Sequence, residues 1–285
     1  MVIPNPKPPV LIGLKLAGLL AMLMSAAAAA SPAGACADQG AAAPVLEVRL
    51  LNIRPHDPGR YTQGLFIRDG VWFESSGGFG VSAFIREYPS PLGGPAAERR
   101  WPLPPDCFAE GAAWAEGEIY LLTWRNRRGF VLDPSELKVK REFTYAGEGW
   151  GLAWDGQRLW RSDGSHRLYP HKAGDFAPAG EPLAVRDGDK PVELLNELEW
   201  DPAAGVMLAN VYGLDRVAAI DLNEGLVRFW LEAAPLRALA VQRGLTSPAS
   251  LDTALNGLAL DGQSLWLTGK SWPLYFQIAW PPDKK

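Results

Sequence analysis

The chain has 285 residues and a net charge of −4, long enough for one large domain or two small ones. The acidic balance argues against a nucleic-acid partner. Two cysteines and three scattered histidines (His56, His166, His171) give no metal-binding pattern.

The first segment reads as a leader. Lys7 and Lys15 precede an apolar stretch, Leu16 to Ala30, and Ala28 with Ala30 offers an Ala-x-Ala cleavage site. We therefore expect a signal peptide over 1–30, with export to the periplasm or the exterior. The stretch is short and Ala-rich for a membrane span, so no stable membrane insertion is expected after cleavage. Ala33-Gly34-Ala35-Cys36 is a second reading, a lipoprotein site, but it lacks the large aliphatic residue such sites carry. A low-complexity linker fills 31–44. In an oxidising compartment Cys36 can pair with Cys107. The alternative leaves Cys107 simply buried.

From Val45 to Ile53 apolar and polar residues alternate as a strand. Then one phrase recurs five times: a leading residue, Gly or a substitute, an apolar run, an Asp- or Glu-led turn, and an aromatic strand. The copies begin at Gln63-Gly64-Leu65, Glu110-Gly111-Ala112, Trp150-Gly151-Leu152, Asn196-Glu197-Leu198 and Asn256-Gly257-Leu258. Their turns are Asp69-Gly70, Glu116-Gly117, Asp155-Gly156, Asp201 and Asp261-Gly262. Asp-Gly and Glu-Gly between apolar runs signal hairpins with positive φ.

Outer strands follow at Ser82 to Tyr88, Gly129 to Leu132, Arg167 to Tyr169, Arg216 to Asp221 and Leu274 to Trp280. Thirty Gly, 25 Pro and 12 Trp suit many short strands joined by tight turns. Spacings of roughly 40 to 60 residues are those of propeller blades. The expectation is an all-β, five-bladed β-propeller over 45–285. A short helix near Ala233 to Arg243 is inserted between the fourth and fifth blades, and Val45 to Ile53 closes the ring on the last blade. A β-sandwich would not explain the period.

In a propeller the first strand of each blade lines the central channel, so the five leading positions converge at one mouth. One structural slot holds Gln63, Glu110, Trp150, Asn196 and Asn256, five variations on a constant scaffold. Glu110, among apolar neighbours, is a candidate general acid and base. Asn196 and Gln63 carry amides able to hold a developing oxyanion, and Lys270 places a cation after a core strand. Trp124, Trp150 and Tyr212 are candidate walls. No Gly-x-Ser-x-Gly elbow, phosphate loop or His-Glu-x-x-His run is present.

These phrases together resemble the plant and bacterial type of glutaminyl cyclase, also called glutamine cyclotransferase. They run Tyr61-Thr62-Gln63-Gly64-Leu65, Glu74-Ser75-Ser76-Gly77, Phe108-Ala109-Glu110-Gly111, Leu122-Thr123-Trp124 and Glu148-Gly149-Trp150-Gly151-Leu152. Next come Ser162-Asp163-Gly164-Ser165, Leu195-Asn196-Glu197-Leu198-Glu199, Ala209-Asn210-Val211, Leu255-Asn256-Gly257 and Leu267-Thr268-Gly269-Lys270-Ser271-Trp272-Pro273. The likeness spans about residues 46 to 280. It implies a transferase that converts N-terminal glutamine of peptides or proteins to pyroglutamate with release of ammonia, without a cofactor or catalytic zinc; its substrates are the expected partners, and a monomer is expected. Site positions implied by the resemblance are Gln63, Phe108, Glu110, Trp124, Trp150, Asn196 and Lys270. We take Glu110, Asn196, Gln63 and Lys270 as catalytic and Phe108, Trp124 and Trp150 as substrate-binding, and add Tyr61, Tyr212 and Asn256 to the latter from their places beside or in the repeated slot. The family phrases favour Phe where Tyr61 stands, Gly where Ala109 stands and Trp where Tyr212 stands. Two other readings are a propeller that binds peptides without turning them over, and a calcium-dependent lactonase. The latter needs several inward carboxylates, and the slot offers only Glu110, with Glu197 beside Asn196.

Overall fold

The computed structural model describes residues 40–88, 97–247 and 250–282, within a compact unit spanning Asp38–Lys285. The expected leader, the first part of the linker and Cys36 lie outside the described residues. Among the described residues Cys107 is a buried free thiol.

The fold is all-β and propeller-like, with one α-helix among the described residues. Four sheets have four strands each. The first takes Thr62–Arg68, Val71–Ser76, Ala83–Tyr88 and Ala97–Pro102 in order. The second takes Ala109–Ala115, Glu118–Thr123, Arg128–Leu132 and Val139–Thr144. The third takes Leu152–Trp154, Leu159–Ser162, Arg167–His171 and Leu183–Ala184. The last takes Leu255–Asp261, Ser264–Gly269 and Leu274–Ala279, and borrows Leu50–Pro55 from the start of the chain as its outer strand. Between the third and the last lies a larger, seven-stranded sheet. Its meander is Leu195–Asp201, Val206–Val211, Arg216–Asp221 and Leu226–Glu232, extended by three short strands.

The hairpin signals are met in detail in the first two repeats, and at Asp155-Gly156 and Asp261-Gly262 the glycine alone has positive φ. Asp69 and Gly70 have φ of 51° and 74°, and Glu116 and Gly117 have 50° and 83°. Positive φ at both central residues gives the turn whose twist matches paired strands.

Alternation then explains how apolar runs bury both faces. On one strand Leu121 joins a cluster with Phe66, Phe73 and Phe84 of the first sheet, whereas its neighbour Leu122 joins Leu152 and Leu159 of the third. Successive residues point to opposite faces. Ala153, Trp160 and Leu168 pack on Leu198 and Met207 in the same way, and Leu208 and Val217 on Leu258, Leu267 and Phe276. A further cluster, Leu65 and Trp72 with Ala259, Trp266 and Tyr275, joins the last sheet to the first. The first strands accordingly touch their neighbours in cyclic order.

One expected strand is corrected. Val45 to Ile53 is not continuous: Val45–Glu47 pairs in parallel with Leu226–Glu232, and Leu50–Pro55 pairs antiparallel with Leu274–Ala279. The chain changes sheets at Val48-Arg49, so closure uses two edges instead of one. The helix spans Ala234–Gln242, with Pro in its first turn and Leu236 and Ala240 buried. Among the described residues no helix is long and apolar enough to cross a membrane.

Candidate active site

In four of the five repeats the leading position is a β-bulge; Trp150 instead precedes its strand, which begins at Leu152. Pairing of the first strand with the second slips between Thr62 and Gly64, between Ala109 and Ala112, between Leu195 and Leu198, and between Leu255 and Leu258. Gln63, Glu110, Asn196 and Asn256 each sit inside the slip. A bulge residue is released from the ladder, and its side chain is re-aimed without disturbing the strand beyond it. That is why this position varies while the following apolar run does not.

Backbone groups freed by the bulges are caught by the adjacent sheet. Ser75 Oγ donates to the Glu110 carbonyl at 2.5 Å, and Ser162 Oγ donates to the Asn196 carbonyl at 2.6 Å. Asn210 Nδ2 donates to the Leu255 carbonyl at 2.6 Å, and Gly111 N–H to the Trp150 carbonyl at 2.6 Å. Such close approach requires the glycine after the leading residue. A Cβ on Gly111 would lie 2.6 Å from the Gly151 carbonyl carbon, and one on Gly151 would lie 2.0 Å from the Asn196 oxygen. In the seven-stranded sheet Glu197 replaces this glycine. Its carboxylate accepts the Leu65 N–H at 3.1 Å, tying that strand to the first sheet.

At the mouth lies a cavity of about 740 Å³. Of the ten residues named from the sequence, nine line it: Tyr61, Gln63, Phe108, Glu110, Trp124, Trp150, Asn196, Tyr212 and Lys270. Asn256 does not. It is fully buried behind the wall, where it orients the other amides.

A single backbone carbonyl sets that orientation. The Thr62 carbonyl can only accept, so the Asn256 atom facing it at 2.7 Å is Nδ2. The same Nδ2 donates to Gln63 Oε1 at 2.9 Å, and Asn256 Oδ1 accepts from Asn196 Nδ2 at 2.8 Å. With its oxygen engaged, Gln63 turns its Nε2 to Glu110 Oε1, at 3.4 Å. Asn196, Asn256, Gln63 and Glu110 thus form one directed chain that ends on the carboxyl group.

Burial pushes the Glu110 carboxyl well above the usual carboxylate range; the Lys270 ammonium opposes this, and the Glu148 charge adds to it. Lys270 is lowered by the same burial, with Glu110 and Asp252 pulling the other way. Its ammonium lies 4.9 Å from the Tyr61 ring centre and 4.8 Å from that of Tyr212, a cation between two aromatic faces. The two tyrosines that depart from the family phrases therefore meet at one lysine.

The structure adds side chains that the sequence reading did not select. Glu148 Oε2 accepts from the indoles of Trp124 at 2.7 Å and Trp150 at 3.0 Å, so one carboxylate holds both walls. Its other oxygen accepts from Arg125 Nε at 3.0 Å. The phrase Glu148-Gly149-Trp150 was visible, but the partner indole lies 24 residues earlier. Asp252, on a short 3-10 turn, lines the mouth and accepts from the Tyr61 hydroxyl at 3.2 Å. Among the described residues no group of three or more His, Cys, Asp or Glu is arranged to hold a metal ion.

A family model described as Glutamine cyclotransferase matches residues 18–280. Glutaminyl-peptide cyclotransferase of Arabidopsis thaliana is 32% identical over 238 residues, 81% of this chain and 71% of the plant protein. The crystal structure of Myxococcus xanthus glutaminyl cyclase is similar at a TM-score of 0.72 and 32% identity, over 83% of this chain and 97% of that one.

Proposed function

The chain belongs to the glutamine cyclotransferase family, and we propose that it cyclises the N-terminal glutamine of peptides or proteins to pyroglutamate, releasing ammonia. One observation carries the reading at the level of chemistry: the directed amide chain ends on a buried Glu110 of raised proton affinity inside an aromatic-walled cavity.

The substrate brings both reactants. Its α-amine attacks its own γ-carboxamide carbon, forming a five-membered ring and breaking the bond to the amide nitrogen. The enzyme's work is to select the folded rotamer and serve the charges that develop. A free α-amine has a pKa of about 8, so part of it is neutral near pH 7. Glu110 accepts a proton from the attacking nitrogen and delivers one to the departing nitrogen, which leaves as NH3 because NH2⁻ is too poor a leaving group. A carboxyl raised by burial suits both steps, since its proton affinity approaches that of its partners. The remaining N–H of Asn196 and the Lys270 ammonium are the donors for the amide oxygen as it becomes an oxyanion. Trp124, Trp150 and Phe108 pack the methylene chain and exclude water.

The architecture supporting this site reads as five blades, with the meander Leu195–Glu232 of the seven-stranded sheet as the fourth. The cyclic contacts among first strands support that count. Export directed by the Leu16–Ala30 segment is part of the same proposal, checked by the N-terminal mass of the secreted protein. Activity is tested by ammonia release from Gln-initiated dipeptides, with Asn-initiated dipeptides as control. Release from Gln peptides that collapses in Glu110→Gln is expected. Absence of release from every Gln peptide would overturn the reading.

A further inference from the structure

The rim of the cavity is chemically mixed. It carries polar and charged groups, Tyr61, Asp252, Lys270 and Ser271. It also carries the loop Gly77-Gly78-Phe79-Gly80-Val81, which displays two large apolar side chains to solvent: Phe79 is 62% exposed and Val81 76%.

The loop is built to hold them there. Gly77 N–H donates to the Tyr61 carbonyl at 2.8 Å, Gly80 N–H to the Pro105 carbonyl at 3.1 Å, and Val81 N–H to the Gly78 carbonyl at 3.1 Å. Ser82 Oγ also donates to the Gly78 carbonyl, at 2.8 Å. Gly78 and Gly80 have φ of 134° and 75°, so a conformation that favours glycine flanks Phe79 on both sides. A Cβ on Gly77 would lie 2.2 Å from the Phe108 ring. Phe79 therefore stands edge-on to Phe108, ring centres 5.3 Å apart, and Phe108 in turn meets Trp124 at 5.7 Å. The exposed ring continues the aromatic wall of the cavity out past its lip, and Val81 is itself part of the lining.

Building on the cyclase reading, we propose that Phe79 and Val81 form a subsite for the side chain of the residue that follows the terminal glutamine, and that this subsite selects apolar and aromatic residues there. The terminal glutamine must reach Glu110 at the base, so the rest of the peptide leaves through the mouth. An extended residue advances the chain by about 3.3 Å, so the second side chain is the first to lie beyond the glutamine on the way out past Phe108, the ring that Phe79 meets. A fixed aromatic ring offers contact area with little ordering cost.

The test compares kcat/KM for Gln-Phe-amide, Gln-Leu-amide, Gln-Gly-amide and Gln-Glu-amide, with wild type and with Phe79→Ser and Val81→Ser. Wild type is expected to prefer Phe and Leu over Gly by about tenfold, mainly through KM, with Glu below Gly. In each variant the Phe-to-Gly ratio should fall toward about two. Equal turnover of all four by wild type would overturn the subsite while leaving the cyclase reading intact, as would a preference that survives both substitutions. A uniform loss across all four substrates would make the loop merely structural. If no Gln peptide is turned over, the cyclase reading fails. Calorimetric affinities for the same four peptides then decide the subsite, a tenfold Phe-to-Gly ratio supporting it and equal affinities overturning it.

Discussion

Two glutamates stand on neighbouring sheets, both buried, and their environments drive them in opposite directions. Glu74, on the second strand of the first sheet, would be raised by burial, but His56, Arg60 and Thr62 reverse this and hold it near 2. Its partners are His56 Nε2 at 3.1 Å, Arg60 at 2.8 Å, Thr62 Oγ1 at 2.7 Å and the Tyr275 hydroxyl at 2.9 Å. Tyr275 belongs to the last sheet, so the network fastens the two ends of the ring. Glu110, on the first strand of the second sheet, receives a single long amide bond at 3.4 Å and is raised. Residue type and burial are shared; only the number and charge of the partners differ. A fully partnered carboxylate holds structure, and an under-partnered one is left able to exchange a proton.

The sharpest way to break this contrast is to neutralise each glutamate without changing its shape. Glu110→Gln should lower kcat/KM by about 10²- to 10⁴-fold, as loss of a general acid and base does, while leaving the fold intact. Its effect on stability should have an unusual sign. A raised carboxyl binds its proton more tightly in the folded state, so its contribution is present below the usual value near 4.5 and is lost as pH rises through the raised value. The variant should therefore match or exceed wild type in Tm near pH 8. A clear loss of Tm there would mean that Glu110 is structurally paired.

Glu74→Gln is the mirror case. It takes one of three carboxylates from buried Arg60, which keeps Glu87 and Glu98, and weakens the bonds from His56, Thr62 and Tyr275; loss of charged hydrogen-bond partners of this kind costs about 1–3 kcal/mol. Denaturant unfolding should show that loss, with kcat of the folded fraction nearly unchanged. For this depressed carboxyl the stabilisation is present above about pH 4.5 and is lost as pH falls toward about 2. Wild type and variant should thus converge in stability in acid and separate above it. Parallel curves would refute the assignment.

The same contrast explains what could be read in advance. Bulge positions were legible because a period near 40 to 60 residues aligned five leading residues, and nine of ten chosen side chains line the cavity. Asn256 was misplaced as a lining residue because its slot is equivalent in sequence, whereas its amide is drawn inward by the Thr62 carbonyl of the neighbouring sheet. Glu148 and the Glu74 network were not legible. Each depends on partners brought together across sheets, at separations from 12 to 201 residues for Glu74, which no local pattern encodes. The division of Val45–Ile53 failed for a related reason: alternation marks a strand but not the identity of the edge it joins.

Asn256→Asp tests the direction of the amide chain. The new carboxylate cannot donate to the Thr62 carbonyl and would face Gln63 Oε1 as well. Gln63 must then flip and turn its oxygen toward Glu110. Buried polar groups left unpaired cost about 1–3 kcal/mol each, so both stability and kcat should fall, kcat by roughly ten- to a hundredfold. A stability loss with unchanged kcat would separate Asn256 from the chemistry and make it a brace.

Glu148→Gln should have the smallest effect and the most specific signature. The amide oxygen of Gln can still accept from both indoles, so the walls stay in register, but the negative charge that helps to raise Glu110 is gone. Removing it lowers the proton affinity of Glu110. As a base Glu110 works above its own pKa, so the acid limb of kcat/KM against pH should move to lower pH, by under about one unit. Glu148→Leu also removes the acceptor, and should add a rise in KM and a change in tryptophan fluorescence that the Gln variant lacks. If the Gln and Leu variants share one pH profile with wild type, Glu148 acts only as a clamp on the two indoles, and the cationic and hydrogen-bonding partners that Glu74 has and Glu110 lacks are what set the two apart.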